Sequence, residues 1–168
     1  MPKTPIPAND RERLDALLSY QILDTPSDSD FDDITKLASE ICKTPISLIT
    51  LLDTNRQWFK SKVGVEASET DRDSSLCAHA ILTPFENLIV ENALEDERFS
   101  ENPFVRDGLI GSYAGVPLVT PEGFALGALC VIDHNPRKLD AFQVSALEKL
   151  AGQVTKLLEL HKINLRLA

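Results

Sequence analysis

Two hydrophobic periodicities alternate along the chain, and together they map its elements. Leu14, Leu17 and Leu18 recur at i, i+3 and i+4, the spacing of one helix face. With Asn9 or Asp10 as cap, this predicts a first helix to about Tyr20, ended by Asp24-Thr25-Pro26-Ser27. Phe31, Ile34, Leu37, Ala38, Ile41 and Cys42 form a second stripe. They predict a helix over Ser29–Cys42 that stops at Lys43-Thr44-Pro45.

The period then shortens. Ile46–Leu52 is an apolar, β-branched run that reads as a strand buried on both faces. After the turn Asp53-Thr54-Asn55, Arg56–Val63 reads as the returning arm of a hairpin. Strict alternation would put Gln57, Phe59 and Ser61 on one face and Trp58, Lys60 and Lys62 on the other. Residues 64–74 read as polar and irregular. Leu76–Leu82 reads as a short helix with Ser74 or Ser75 as cap, and Asn87–Glu91 as a short strand. One or two helical turns are expected within 92–111. Ser112–Thr120 and Phe124–Ile132, joined by Pro121-Glu122-Gly123, predict an antiparallel hairpin. Asp140 can cap a final helix, apolar at Leu147, Leu150, Ala151, Val154, Leu157, Leu158 and Leu165. Hairpins at both ends of the strand set require an α+β fold with an antiparallel sheet, not a parallel βαβ repeat.

Composition narrows the class. A length of 168 residues, 43% apolar and 26% charged, describes one folded domain with its own core. The net charge of −9 argues against a nucleic-acid partner and against an anionic membrane surface. No apolar run approaches a membrane span, and the Pro-rich start lacks the apolar region of a signal peptide. Cys42, Cys77 and Cys130 are odd in number and lack a CxxC pair, which fits buried thiols in a reducing, cytoplasmic setting.

Several separated stretches, in order, resemble a bacterial signalling subgroup of GAF domains. They include Leu23-Asp24-Thr25-Pro26, Arg56-Gln57-Trp58-Phe59-Lys60-Ser61, Cys77-Ala78-His79-Ala80-Ile81, Tyr113-Ala114-Gly115 and Leu126-Gly127-Ala128-Leu129-Cys130-Val131-Ile132-Asp133. The resemblance covers residues 13–160, leaving 1–12 as an arm and helix start and 161–168 as a helix overhang. It implies a six-stranded antiparallel sheet with helices on both faces and a long C-terminal helix. The first, second and last helices would share one face, and loops between strands two and four would enclose a pocket on the other. It also implies a sensory domain, as found at the N-terminus of sensor histidine kinases and diguanylate cyclases, with an unidentified small-molecule ligand and a kinase or cyclase as output. A parallel homodimer through the N- and C-terminal helices is expected, and the helical pattern at Ala168 looks like that of a domain from a longer signalling protein.

Candidate chemistry is sparse. Ser75, Cys77, His79, Phe99, Tyr113 and Asp133 are the expected ligand-binding residues, with Trp58 a further aromatic wall. Cys77, His79, Cys130 and His134 could bind zinc, but their spacings do not match finger motifs. Asp28, Asp30 and Asp32 resemble the start of a calcium loop, but Asp33 and Ser39 occupy the required Gly and Glu positions, so helix capping is the better reading. One of Arg56, Arg72, Arg98 and Arg106 could clamp an anion; structural pairing with Glu69 or Asp96 is the alternative. No Gly-x-Ser-x-Gly, Walker loop or His-Glu-x-x-His is present. Cys77 and His79 stand two apart, so on a helix they diverge and make a poor catalytic pair. A cysteine-based reductase of free methionine sulfoxide and a ligand-free dimerisation module remain as alternatives. Gly111-Ser112 stand where relatives carry bulkier residues, predicting a looser pocket wall.

Overall fold

The computed structural model describes residues 3–167, so Met1 and Pro2 of the expected arm and Ala168 of the expected overhang lie outside it. Helices α1 (Asp10–Ser19) and α2 (Ser29–Cys42) precede a hairpin of β1 (Ile46–Leu52) and β2 (Arg56–Val63). There follow β3 (Glu69–Asp71), a 3-10 turn (Arg72–Ser74), α3 (Cys77–Ala80), β4 (Leu88–Val90) and a second 3-10 turn (Ala93–Glu95). The chain then forms α4 (Pro103–Arg106), β5 (Ser112–Val119), β6 (Ala125–Asp133) and the long α5 (Ala141–Leu167). Six strands make one sheet in the order β3-β2-β1-β6-β5-β4, each neighbouring pair antiparallel.

Capping follows the sequence in α2 and α5, but at α1 Asn9 makes no side-chain cap bond and the Asp10 carboxylate bonds Arg13 and Arg72 instead. The Asp28 carboxylate accepts the Asp30 N–H at 2.9 Å, so the first of the three aspartates caps α2. Asp140 and Gln143 cap α5 reciprocally: Gln143 N–H donates to Asp140 Oδ1 at 2.8 Å and Asp140 N–H to Gln143 Oε1 at 3.0 Å.

Two features depart from the sequence reading. The stretch read as irregular contains β3, which is only three residues long and polar, and pairs with Arg56–Trp58. The second departure is a bulge in β2. Ile49 pairs with Ser61 and Thr50 with Phe59, leaving Lys60 as the extra residue. Alternation resets there, so Ser61 does not share a face with Gln57 and Phe59. It points at α2, donating to Asp32 Oδ1 at 2.5 Å and meeting Thr35 Oγ1 at 2.7 Å. Lys60 turns to the same side, where its ammonium bonds Thr25 Oγ1 and the Pro26 carbonyl.

The sheet separates two cores. On one face α1, α2 and α5 pack Leu17, Phe31, Ala38, Leu147, Val154 and Leu158 against Ile49, Leu51, Leu126 and Leu129. On the other, α3 and the loops around α4 pack Ala78, Ile81, Phe99, Val105 and Ile110 against Ile46, Leu48, Leu52 and Cys130. Cys42 belongs to the first core and is buried, as its place on the α2 stripe predicts. Among the described residues, no helix is long and apolar enough to cross a membrane.

An ionic cluster ties these layers at the open ends of the strands. Arg13, 1% exposed, donates to the carbonyls of Leu52 (2.6 Å), Ala125 and Leu126 (both 3.3 Å), and to Asp10 Oδ1 at 2.8 Å. Arg72, also buried, donates to both Asp10 oxygens, at 2.9 and 3.1 Å, and to the Asp53 carbonyl at 3.0 Å. Burial raises the Asp10 carboxyl, and the hydrogen bonds from Arg72 and Arg13 outweigh it, so Asp10 stays below its ordinary pKa. Replacing Arg13 by Met keeps much of the volume but strands three strand-end carbonyls without their donor. Urea denaturation at neutral pH is expected to show a loss of roughly 3–5 kcal/mol.

Candidate functional site

A cavity of about 300 Å³ lies between the sheet and the cover on its loop side. That is room for about ten waters at ~30 Å³ each, or for a small organic molecule. Its floor is Ile46 and Leu48 of β1, Phe59 of β2, and Cys130 and Ile132 of β6. Its sides are Leu76, Cys77, Phe104, Leu109 and Ile110, and residues 64–67 lie at its rim. The cover therefore reaches past β4 to α4 and the residues behind it, further than the expected span between strands two and four.

Three of the expected ligand residues line this cavity: Ser75, Cys77 and Tyr113. Cys77, at the start of α3, meets the Tyr113 hydroxyl at 2.9 Å. Tyr113 reaches it by lying along its own strand over Gly115, where a Cβ would occupy the place of the phenol oxygen. Cys130 lines the cavity beside Cys77 and Tyr113, so three weak acids are buried together here. Burial holds Tyr113 well above its ordinary pKa, and the hydrogen bond to Cys77 together with burial does the same for Cys130. Burial also raises Cys77, but its hydrogen bonds from Cys130, Thr50 and Tyr113 bring it below the ordinary thiol value.

The other four expected residues stand elsewhere. His79, two residues after Cys77 on α3, does not line the cavity and packs edge-on against Phe99, ring centroids 4.7 Å apart. Phe99 is buried in the core behind α3. His79 Nδ1 is buried without a hydrogen-bond partner. Burial and the nearby Arg98 hold the imidazole below its ordinary pKa, with Asp96 opposing them. Asp133 ends β6 beside a separate crevice, accepting from Asn135 N–H at 3.0 Å and facing Arg137. Trp58 faces the helices, one step of strand alternation away from Gln57 and Phe59. Gly111 and Ser112 do not loosen the cavity. A Cβ on Gly111 would meet the His134 backbone, and neither residue lines the space.

A polar wall was missed. Ala78 N–H donates to Ser75 Oγ at 3.2 Å, Ser75 Oγ donates to Gln57 Oε1 at 2.5 Å, and Gln57 Nε2 donates to Thr70 Oγ1 at 2.9 Å. Gln57 and Thr70 are register partners of β2 and β3. A glutamine on the apolar side of a predicted strand was the available signal, but its partner lay in the unrecognised β3.

Three of the four candidate arginines, Arg56, Arg72 and Arg98, are occupied structurally, while Arg106 is exposed on α4. Arg56 bonds Asp24, Asp53 and Glu69 at 2.8–3.0 Å, and Arg98 bonds Asp96 at 2.7 Å. Cys77 and Cys130 meet, but His79 is against Phe99 and His134 Nδ1 is 2.8 Å from the Leu109 carbonyl. Among the described residues, no group of three or more His, Cys, Asp or Glu is gathered as metal ligands.

Comparison with known proteins agrees with this architecture. A family model described as GAF domain matches residues 28–158. A cyclic di-GMP phosphodiesterase of Pseudomonas aeruginosa is 40% identical over 158 residues, which is 92% of this chain and 26% of that protein. The chain thus spans about a quarter of that relative's length. The GAF domain of an Acinetobacter phosphoenolpyruvate-protein phosphotransferase superposes with a TM-score of 0.63 at 20% identity, covering 92% of this chain and 95% of that one. A free methionine-R-sulfoxide reductase of Neisseria meningitidis, solved with its substrate, gives 0.65 at 17% identity, covering 92% and 90%. At such identities the two structures are alike in fold alone.

Two outcomes follow from the site. Gly115→Ala drives a methyl into the Tyr113 hydroxyl, and overpacking of this kind is expected to cost about 1–3 kcal/mol in urea denaturation. His79 has a lowered pKa when folded, so the unfolded chain binds its proton more readily. Its neutral burial therefore stabilises the fold above about pH 6.5, and that contribution is lost as pH falls through the lower folded value. Stability measured at successive pH values from 7 down to 5 should fall less steeply in His79→Gln than in the parent chain.

Proposed function

Because the chain belongs to the GAF domain family, we propose that it is a regulatory domain that takes a small molecule into the cavity and signals through its terminal helices as a homodimer. The observation that carries this reading is the mechanical link between cavity and helices. Ser74, the last residue of the turn that begins with Arg72, and Ser75 directly after it both line the cavity. Arg72 grips Asp10 in the first turn of α1, and Asp10 is held in turn by Arg13. Beyond α1, the Tyr20 hydroxyl donates to Glu159 of α5, and the Lys162 ammonium lies 4.7 Å from the Tyr20 ring. A ligand that shifts the Arg72–Ser74 turn would shift α1, and with it the packing at the end of α5. Such a ligand needs only to bind one packing better than the other.

The homodimer reading rests on α5. Its buried residues, Leu147, Ala151, Val154 and Leu158, face the sheet, while Leu160, Ile163 and Leu167 form an exposed apolar stripe at i, i+3 and i+7. Leu18 of α1 is exposed as well. In this reading the domain itself is not an enzyme. A kinase, cyclase or cyclic di-nucleotide phosphodiesterase would be the output, in a reducing cytoplasm that suits three free buried thiols.

A second reading, reduction of free methionine sulfoxide, draws on Cys77 and Cys130 meeting in the cavity. A zwitterionic amino acid would find no cationic side chain among the wall residues, which favours the first reading. Consumption of free methionine sulfoxide with a thiol reductant, above buffer, would reverse that preference.

Native mass spectrometry of the chain purified from cells tests the main proposal. The expected result is a dimer carrying a non-covalent small-molecule mass, and Ile163→Glu should give monomers that keep it. A parent chain that stays monomeric at micromolar concentration removes the helix-pairing mechanism.

A further inference from the structure

The cavity also carries information about what enters it. Resting on the reading of this cavity as a ligand site, we propose that its ligand is an uncharged, largely apolar small molecule bearing one hydrogen-bond acceptor, such as a ketone-type carbonyl, which Thr70 recognises.

The wall excludes charge. No arginine, lysine or histidine is among its residues, and its one charged member, Glu66, is exposed at the rim. Arg56, Arg72 and Arg98 are already bonded to carboxylates, Lys62 donates to the Glu66 and Ala67 carbonyls, and the exposed Arg106 is not among the wall residues. An anion entering here would give up its hydration without a counter-charge, and the Glu66 carboxylate would oppose it. A cation would lose its water against Ile46, Leu48, Phe59, Phe104 and Ile110, with Glu66 too far out to follow it inward. Nucleotides, phosphates and carboxylates are therefore poor occupants.

The polar wall then sets the one directional requirement. From the Ala78 N–H through Ser75 and Gln57 to Thr70, each group donates to the next. The chain of donors ends at the Thr70 hydroxyl, whose proton has no acceptor among the described residues. Gln57 retains a second amide proton at the same place. A wall that terminates in donors selects an acceptor. The Cys77–Tyr113 pair opposite is already bonded to itself and demands nothing of a ligand. Most of the remaining surface is aliphatic or aromatic, so the rest of the molecule should be apolar.

The test uses three probes of one shape: acetophenone, ethylbenzene and benzoate, titrated into isotope-labelled chain and followed by amide chemical shifts. Acetophenone is expected to shift amides around Thr70, Ser75, Leu109 and Tyr113, and to bind about tenfold more tightly than benzoate. Thr70→Val should bring acetophenone down to the affinity of ethylbenzene while leaving ethylbenzene unchanged, and Thr70→Ser should restore the difference. Retained ethylbenzene binding also reports that the variant cavity is intact. Benzoate binding as tightly as acetophenone, an unchanged preference in Thr70→Val, or no cavity shifts from the neutral probes at millimolar concentration would each overturn the proposal. The α5 amides separate it from the regulatory reading. Cavity binding of acetophenone that leaves residues 159–163 unmoved upholds the ligand class and removes the signalling route, whereas benzoate binding that moves them does the reverse.

Discussion

One carboxylate holds the architecture together. Asp10 sits between two buried guanidinium groups, and through them it reaches the ends of β1 and β6, the first turn of α1 and the turn that caps the cavity. Two like charges so close would repel, and burial would penalise all three groups. The cluster persists because the arginines also donate to the main-chain carbonyls of Leu52, Asp53, Ala125 and Leu126. Removing the carboxylate would leave two cations confined together, so the cluster is all or nothing. It joins the turn beside the cavity to the first turn of α1.

The two faces of the sheet have been given different work. The helix face is filled by aliphatic side chains around Leu17, Val154 and Leu158, and is suited to rigidity. The opposite face keeps a cavity and places its polar groups in two sets, the Cys77–Tyr113–Cys130 cluster and the Ser75–Gln57–Thr70 chain. Gly115 is the residue on which the first set depends, since only a missing side chain lets the Tyr113 ring lie along its own strand.

How much of this was readable in the sequence depended on the range of the interactions. α2, β1 and β2 carry their signal in consecutive residues, and their bounds match the periodicity. β3 is three polar residues that become a strand only through pairing with Arg56, Gln57 and Trp58, so no local pattern marks it. The bulge at Lys60 is likewise a property of pairing register, and it moved Ser61 to the other side of the sheet. In the cavity, Ser75, Cys77 and Tyr113 were reachable because family resemblance already encodes long-range geometry. Thr70 was not, because its role depends on a strand the sequence concealed. His79 and Phe99 do not line the cavity; they pack against each other behind α3.

The strand order also decides how copies of this domain can meet. Both outer strands, β3 and β4, are only three residues long. Unpaired main-chain groups on a longer border would template addition of a foreign strand, the usual path to runaway stacking. Here that border is too brief to hold one. The sheet therefore offers little open edge for a foreign strand to extend.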